Sequence, residues 1–129
     1  MTEDERRAIE ADCARLVALY ANLNDAARWD EVAALYADDG VMFRPTAPDT
    51  PITGRAAILA AFQGRPPRQT RHLCANIVIT AEGPDRASGH SAMVLFQPDA
   101  APLVGSFHDR FVRTAQGWRF AERRGSLAW

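Results

Sequence analysis

The chain has only two cysteines, Cys13 and Cys74, and neither lies in a C-x-x-C or other metal-ligand spacing. That excludes a disulfide-dense scaffold and a thiolate zinc site. No apolar run approaches the ~20 residues of a membrane span, and the opening "MTEDERRAIE" is charged where a signal peptide would be apolar. A reduced, cytoplasmic setting is the expectation. A basic excess is also lacking: the formal net charge of −1 supplies no field for nucleic acid or an anionic membrane. Positive charge gathers in "RPPRQTR" and "AERRG", and both segments read as solvated surface. Absent as well are the phosphate-cradling G-x-x-x-x-G-K-[ST] loop, the dinucleotide fingerprint, a nucleophile elbow and any internal repeat. The three histidines are too scattered for a compact metal site, so neither metal nor cofactor is expected.

What is present suits an ordinary globular protein. The chain is 47% apolar and 24% charged, enough to build a core without staples, and residues 1–129 read as one domain. Ile9, Cys13, Leu16, Val17, Tyr20 and Leu23 recur at helical spacing and predict a long helix over about 3–26. A second helix is predicted over about 29–38, closed by "DDG". "VMF" reads as a short strand and the Pro- and Thr-rich 44–54 as a loop or irregular hairpin. Gly54 then precedes a short helix, "RAAILAAFQ", stopped by Gly64 and "PP". From residue 69 the period changes to two. Strands are predicted over 70–80, 86–97, 103–114 and 117–127, joined by the turn signals "EGPD", "PDAAP" and "TAQG". Helices followed by an antiparallel meander define an α+β fold, with a pocket expected where helices cover the concave face of a curved sheet.

Two residues carry the chemistry in this reading. Asp25 ends the first helix and His72 opens the long strand, so they can meet only across a core or pocket. A carboxylate there can hold an imidazole in one tautomer and make it a general base. Strand alternation groups His72 with Cys74, Asn76 and Val78. The opposite set, Leu73, Ala75, Ile77 and Ile79, is the better core candidate. His90 and His108 read as exposed. Asp109 shares its face with Phe107 and Phe111, so it needs a cationic partner such as Arg123, or a raised pKa.

With "YANLNDAARWDEVAALYADDG", Gly54 before "RAAILAAF", "TRHLCAN" and "GSFHDRFVRTAQGWRFAERR" in that order, the chain resembles SnoaL-like proteins of the NTF2-like superfamily over nearly its whole length. The resemblance implies a cone-shaped α+β barrel around an apolar cavity, assembled as a homodimer or homotrimer. Locally the pattern is similar to scytalone dehydratase and hexachlorocyclohexane dehydrochlorinase, in which a His–Asp dyad abstracts a proton. Asp25 and His72 fall on that dyad. Scytalone dehydratase has tyrosines where this chain has Asn24 and Phe43, and its second catalytic histidine falls near Gln97. The base is retained while those substrate-polarising groups are not.

The implied activity is a cofactor-independent lyase or isomerase acting on a small hydrophobic or cyclic substrate, of polyketide or steroid type. Its catalytic residues would be His72 and Asp25, and its substrate-binding set Tyr20, Asn24, Trp29, Phe43, Asn76 and Asp109. Two alternatives share the fold: a non-catalytic binder of small hydrophobic molecules, and a subunit like the β subunit of ring-hydroxylating dioxygenases.

Overall fold

The computed structural model describes residues 1–129. The first helix, α1 (Glu3–Asp25), starts at a capping box in which the Thr2 hydroxyl accepts from the Glu5 backbone N–H while the Glu5 carboxylate accepts from the Thr2 N–H. Glu3, Asp4 and Glu5 in its first turn complement the positive end of the helix dipole. Its buried stripe runs Ile9, Cys13, Leu16, Val17, Tyr20, Ala21 and Asn24, the helical period read from the sequence. The helix stops in a Schellman turn. Arg28 N–H bonds Leu23 C=O and Ala27 N–H bonds Asn24 C=O, with Ala27 in the left-handed region at φ 56°. Asp25 is therefore the last helical residue.

The second helix, α2 (Trp29–Ala33), is shorter than the predicted 29–38. Leu35 leaves it because its carbonyl accepts the Phe120 backbone N–H instead of continuing a helical ladder. "YADDG" thus belongs to a strand, β1 (Tyr36–Arg44), longer than the predicted "VMF". The 44–54 segment is half of a hairpin: β2 (Ala47–Thr53) pairs antiparallel with β1. Its Pro48 and Pro51 are tolerated because β2 is an edge strand, with one side of its backbone unpaired. The short helix α3 (Arg55–Gln63) falls where expected.

The four later strands, β3 (Arg71–Ala81), β4 (Arg86–Phe96), β5 (Leu103–Thr114) and β6 (Gly117–Leu127), begin and end within a residue of their predicted bounds. They form the predicted meander, but the sheet has six strands in the order β2-β1-β6-β5-β4-β3, since β1 joins β6 in parallel. The sheet is curved and open, and α1 lies against β3 on its inner face. The core that fixes this packing joins Ile9, Cys13, Leu16, Val17 and Tyr20 of α1 to Phe111, Trp118 and Phe120 of the sheet.

One irregularity decides which residues face inward. Between Ala75 and Val78 the β3–β4 register shifts by one residue, and Asn76 sits at φ 54°. This is a β-bulge whose left-handed position is filled by asparagine, a residue that tolerates it. Before the bulge His72 and Cys74 face inward while Leu73 is 55% exposed; after it Ile77, Ile79 and Ala81 face inward. The expected all-apolar core set is therefore wrong for its first half. No helix is long and apolar enough to cross a membrane.

Candidate active site

A cavity of about 430 Å³ opens between α1, the end of β1, the segment after α3 and the inner face of β3–β6. Met93, Leu95 and Phe107 supply part of its apolar wall. His72 projects into it from β3, beside its cross-strand partner Leu95.

Asp25 meets His72 from the helix side. Its Oδ1 lies 2.6 Å from His72 Nδ1, and both side chains are largely buried. The same carboxylate accepts the His72 backbone N–H on Oδ2 at 2.8 Å and the Thr70 hydroxyl on Oδ1 at 2.9 Å. A carboxylate at a helix C-terminus faces the negative end of the dipole, and three donors offset that disadvantage. Because a carboxylate only accepts, the Nδ1 position carries the proton. In the neutral ring the lone pair then resides on Nε2, the nitrogen that Asp25 leaves free. Thr70 is a site residue that sequence reasoning missed. Its signal was its place two residues before His72, on the same side of the chain.

The other expected residues divide. Tyr20, Asn24 and Phe43 line the cavity. Tyr20 and Tyr36, both buried, share a hydrogen bond between hydroxyls at 3.0 Å, and the Tyr20 hydroxyl donates to Met42 Sδ at 3.5 Å. Burial raises the pKa of both phenols, which keeps them protonated and able to donate. Tyr36 belongs to both the core and the cavity lining. Trp29 does not reach the cavity; it stacks on Phe62, with ring centroids 5.2 Å apart, and supports the wall from behind. Asn76 is exposed at the bulge, too far round the strand to line the cavity. Cys74 does line it, but burial pushes its thiol pKa up and works against a thiolate nucleophile.

Asp109 also stands behind the cavity rather than in it. It is paired with Arg123 on β6, Nε to Oδ1 at 3.2 Å, and both side chains are 1% exposed. The Arg123 guanidinium lies 3.7 Å from the Phe107 ring centroid and 4.4 Å from that of Tyr20, and it faces the cavity. "AERRG" is thus only half a surface segment: Arg124 is exposed, Arg123 buried. Desolvation outweighs the attraction of Arg123 and raises Asp109 from the ordinary 3.8 to about 6. Between those values the folded state holds a proton that the unfolded state releases. This carboxyl therefore makes stability fall as pH rises from 3.8 to about 6, with no further change above. Urea unfolding across that window should reveal the slope in the parent protein and its loss in Asp109→Asn. Equal slopes would refute the assignment.

No three His, Cys, Asp or Glu side chains converge as a metal site. His90 and His108 sit opposite each other on β4 and β5, exposed on the outer face.

The family model of the SnoaL-like domain matches residues 5–124. The chain belongs to this SnoaL-like family. No curated protein matches it in sequence. Among solved structures, an NTF2-like protein with a cystatin-like fold from Novosphingobium aromaticivorans is 26% identical, with a TM-score of 0.82 over 95% of this chain and 84% of the other. A candidate scytalone dehydratase from the same organism is 22% identical, with a TM-score of 0.85 over 99% and 89%. LinA is 17% identical, with a TM-score of 0.89 over 100% and 92%. At such identities the last two establish a shared α+β fold, and the first is described as NTF2-like. The SnoaL-like fold is consistent with small-molecule lyases, isomerases or binding proteins.

Proposed function

We propose that this SnoaL-like protein is a cofactor-independent lyase or isomerase that removes a carbon-bound proton from a small hydrophobic, cyclic carbonyl compound. The observation that carries the reading is the 2.6 Å contact between Asp25 Oδ1 and His72 Nδ1 at the wall of an apolar cavity. His72 Nε2 takes the proton from carbon, and the C–H electron pair moves into an enolate. Asp25 keeps the ring oriented and offsets the charge of the imidazolium that forms. The enolate oxygen needs a donor, and the Tyr20 hydroxyl supplies one by turning its proton from Met42 Sδ, a weak acceptor, while it accepts from Tyr36. The imidazolium then returns its proton, either to a leaving hydroxyl, which departs as water, or to another carbon. The first outcome is elimination, the second isomerisation.

Asn24 and Phe43 stand where scytalone dehydratase has tyrosines, which favours a substrate different from that enzyme's. The same departure supports a second reading, a binding protein whose dyad is idle. Proton NMR in deuterium oxide separates the two. With a panel of cyclic ketones and β-hydroxy ketones, protein-dependent exchange of the hydrogen next to the carbonyl is expected for at least one member, with loss of water where a β-hydroxyl is present. Binding of panel members without exchange in any of them would favour the binding protein.

A further inference from the structure

The cavity carries more positive charge than the protein balances. Arg44 enters from the end of β1, and Arg65 and Arg68 from the segment between α3 and β3; all three line the same cavity as His72. None has a carboxylate within 4.0 Å, because every ion pair of the molecule lies elsewhere. The two nearby acids are already engaged, Asp25 by Thr70 and His72, and Asp109 by Arg123. "RPPRQTR" is mostly exposed, as its composition suggests, yet Arg65 and Arg68 also line the cavity.

Two of these arginines are held in place. The Arg44 Nη2 donates to the Ala61 carbonyl at 3.1 Å, while its Nε is buried without a hydrogen-bond partner. Arg65 lies over the Phe62 ring at 4.6 Å and is partly withdrawn from solvent. Its own burial and the charges of Arg44 and Arg68 hold its pKa down to about 10, so at neutral pH it remains protonated beside two like charges. An anion between them would relieve that repulsion. All 15 basic side chains of the chain are arginines, whose planar forks match a carboxylate in a bidentate way that lysine cannot. Deeper in, Met93, Leu95 and Phe107 offer nothing to a charge and much to a ring.

We propose that the cavity takes an organic carboxylate, with an aromatic or alicyclic body against the apolar wall and its charge on Arg44, Arg65 and Arg68. The proposal names the substrate class of the proposed reaction and rests on that reading for its catalytic meaning. The binding itself does not. A carboxylate at the arginines leaves the rest of the ligand to reach His72 within the same cavity.

Naphthoate and its neutral methyl ester serve as probes, titrated calorimetrically into the unmodified protein at neutral pH and low salt. Naphthoate is expected to bind about tenfold or more tightly than the ester, as charge-assisted pairing with a partly buried guanidinium implies. The preference should shrink severalfold in Arg65→Gln and in Arg68→Gln; Arg68 is exposed, so its replacement threatens the fold least. Equal affinities for acid and ester, binding of neither, or a preference unchanged in both variants would overturn the proposal. His72→Ala should keep the preference. An acid preference in a protein that exchanges no proton with any compound would leave this site standing and remove the catalytic reading. Proton exchange without acid preference would do the reverse.

Discussion

His72→Ala is expected to lower the rate of proton abstraction by about 10²–10⁴, the usual contribution of a positioned general base. Nothing nearby can substitute for the lost imidazole. The other two histidines face outward on β4 and β5, and the carboxylate of Asp25 would still be occupied by Thr70 and the residue-72 backbone N–H. Those two bonds also keep the end of α1 tied to β3, so the variant should fold. Asp25→Asn probes the other half of the dyad. Its side chain would offer one acceptor to three donors and turn an N–H toward at least one of them. The ring would lose its fixed tautomer and turnover should fall sharply. Rates are to be read by deuterium exchange, alongside circular dichroism to confirm the fold. If His72→Ala keeps within about threefold of the parent rate, well short of a general-base loss, the dyad is not the base.

The largest expected effect on stability comes from Arg123→Met. It leaves Asp109 buried without its cation and removes a guanidinium packed against Tyr20, Phe107 and Phe120. Breaking one side of a buried ion pair costs about 3–5 kcal/mol. The pH dependence gives the mechanism away. In the parent protein desolvation already raises Asp109 to about 6 against the pull of Arg123. Without that pull the folded-state value moves higher. Stability should then keep falling as pH rises beyond 6, where the parent levels off. Replacing both residues, Asp109→Leu with Arg123→Met, should recover most of the loss, because it removes both desolvation costs together. Denaturant midpoints at mildly acidic and mildly alkaline pH measure all of this. A single variant as stable as its parent at both would contradict the account.

Much of the fold could be read directly from the residues. The apolar stripe of α1 and the turn signals "EGPD" and "TAQG" locate one helix and all four later strands almost to the residue, because local periodicity and turn chemistry decide those elements. The contact between Asp25 and His72 was legible for a related reason. An acid ending one element and a histidine opening another leave few ways to be buried except together. What the sequence hid was non-local. β1 is a strand because Leu35 and its successors find partners on β6, eighty residues later. β2 survives its prolines only through its place at the sheet edge. Asp109 gave a hint of Arg123, but nothing local distinguishes the buried Arg123 from the exposed Arg124 beside it. Arg65 and Arg68 read as plain surface because a charge run usually is; Arg68 is exposed, yet both also line a cavity.

The bulge at Asn76 divides β3 into two half-strands with opposite parity. Residues 72–74 present their even members to the cavity, while the half after the bulge turns odd members, Ile77, Ile79 and Ala81, toward the hydrophobic interior. An uninterrupted strand would bind the two roles to a single alternation, so any slip would disturb both. Here the cavity-lining end can change in side chain and shape while the other end goes on packing against the core. The shape of the cavity and the upkeep of the core are carried by separate halves of one strand, set apart by a single extra residue.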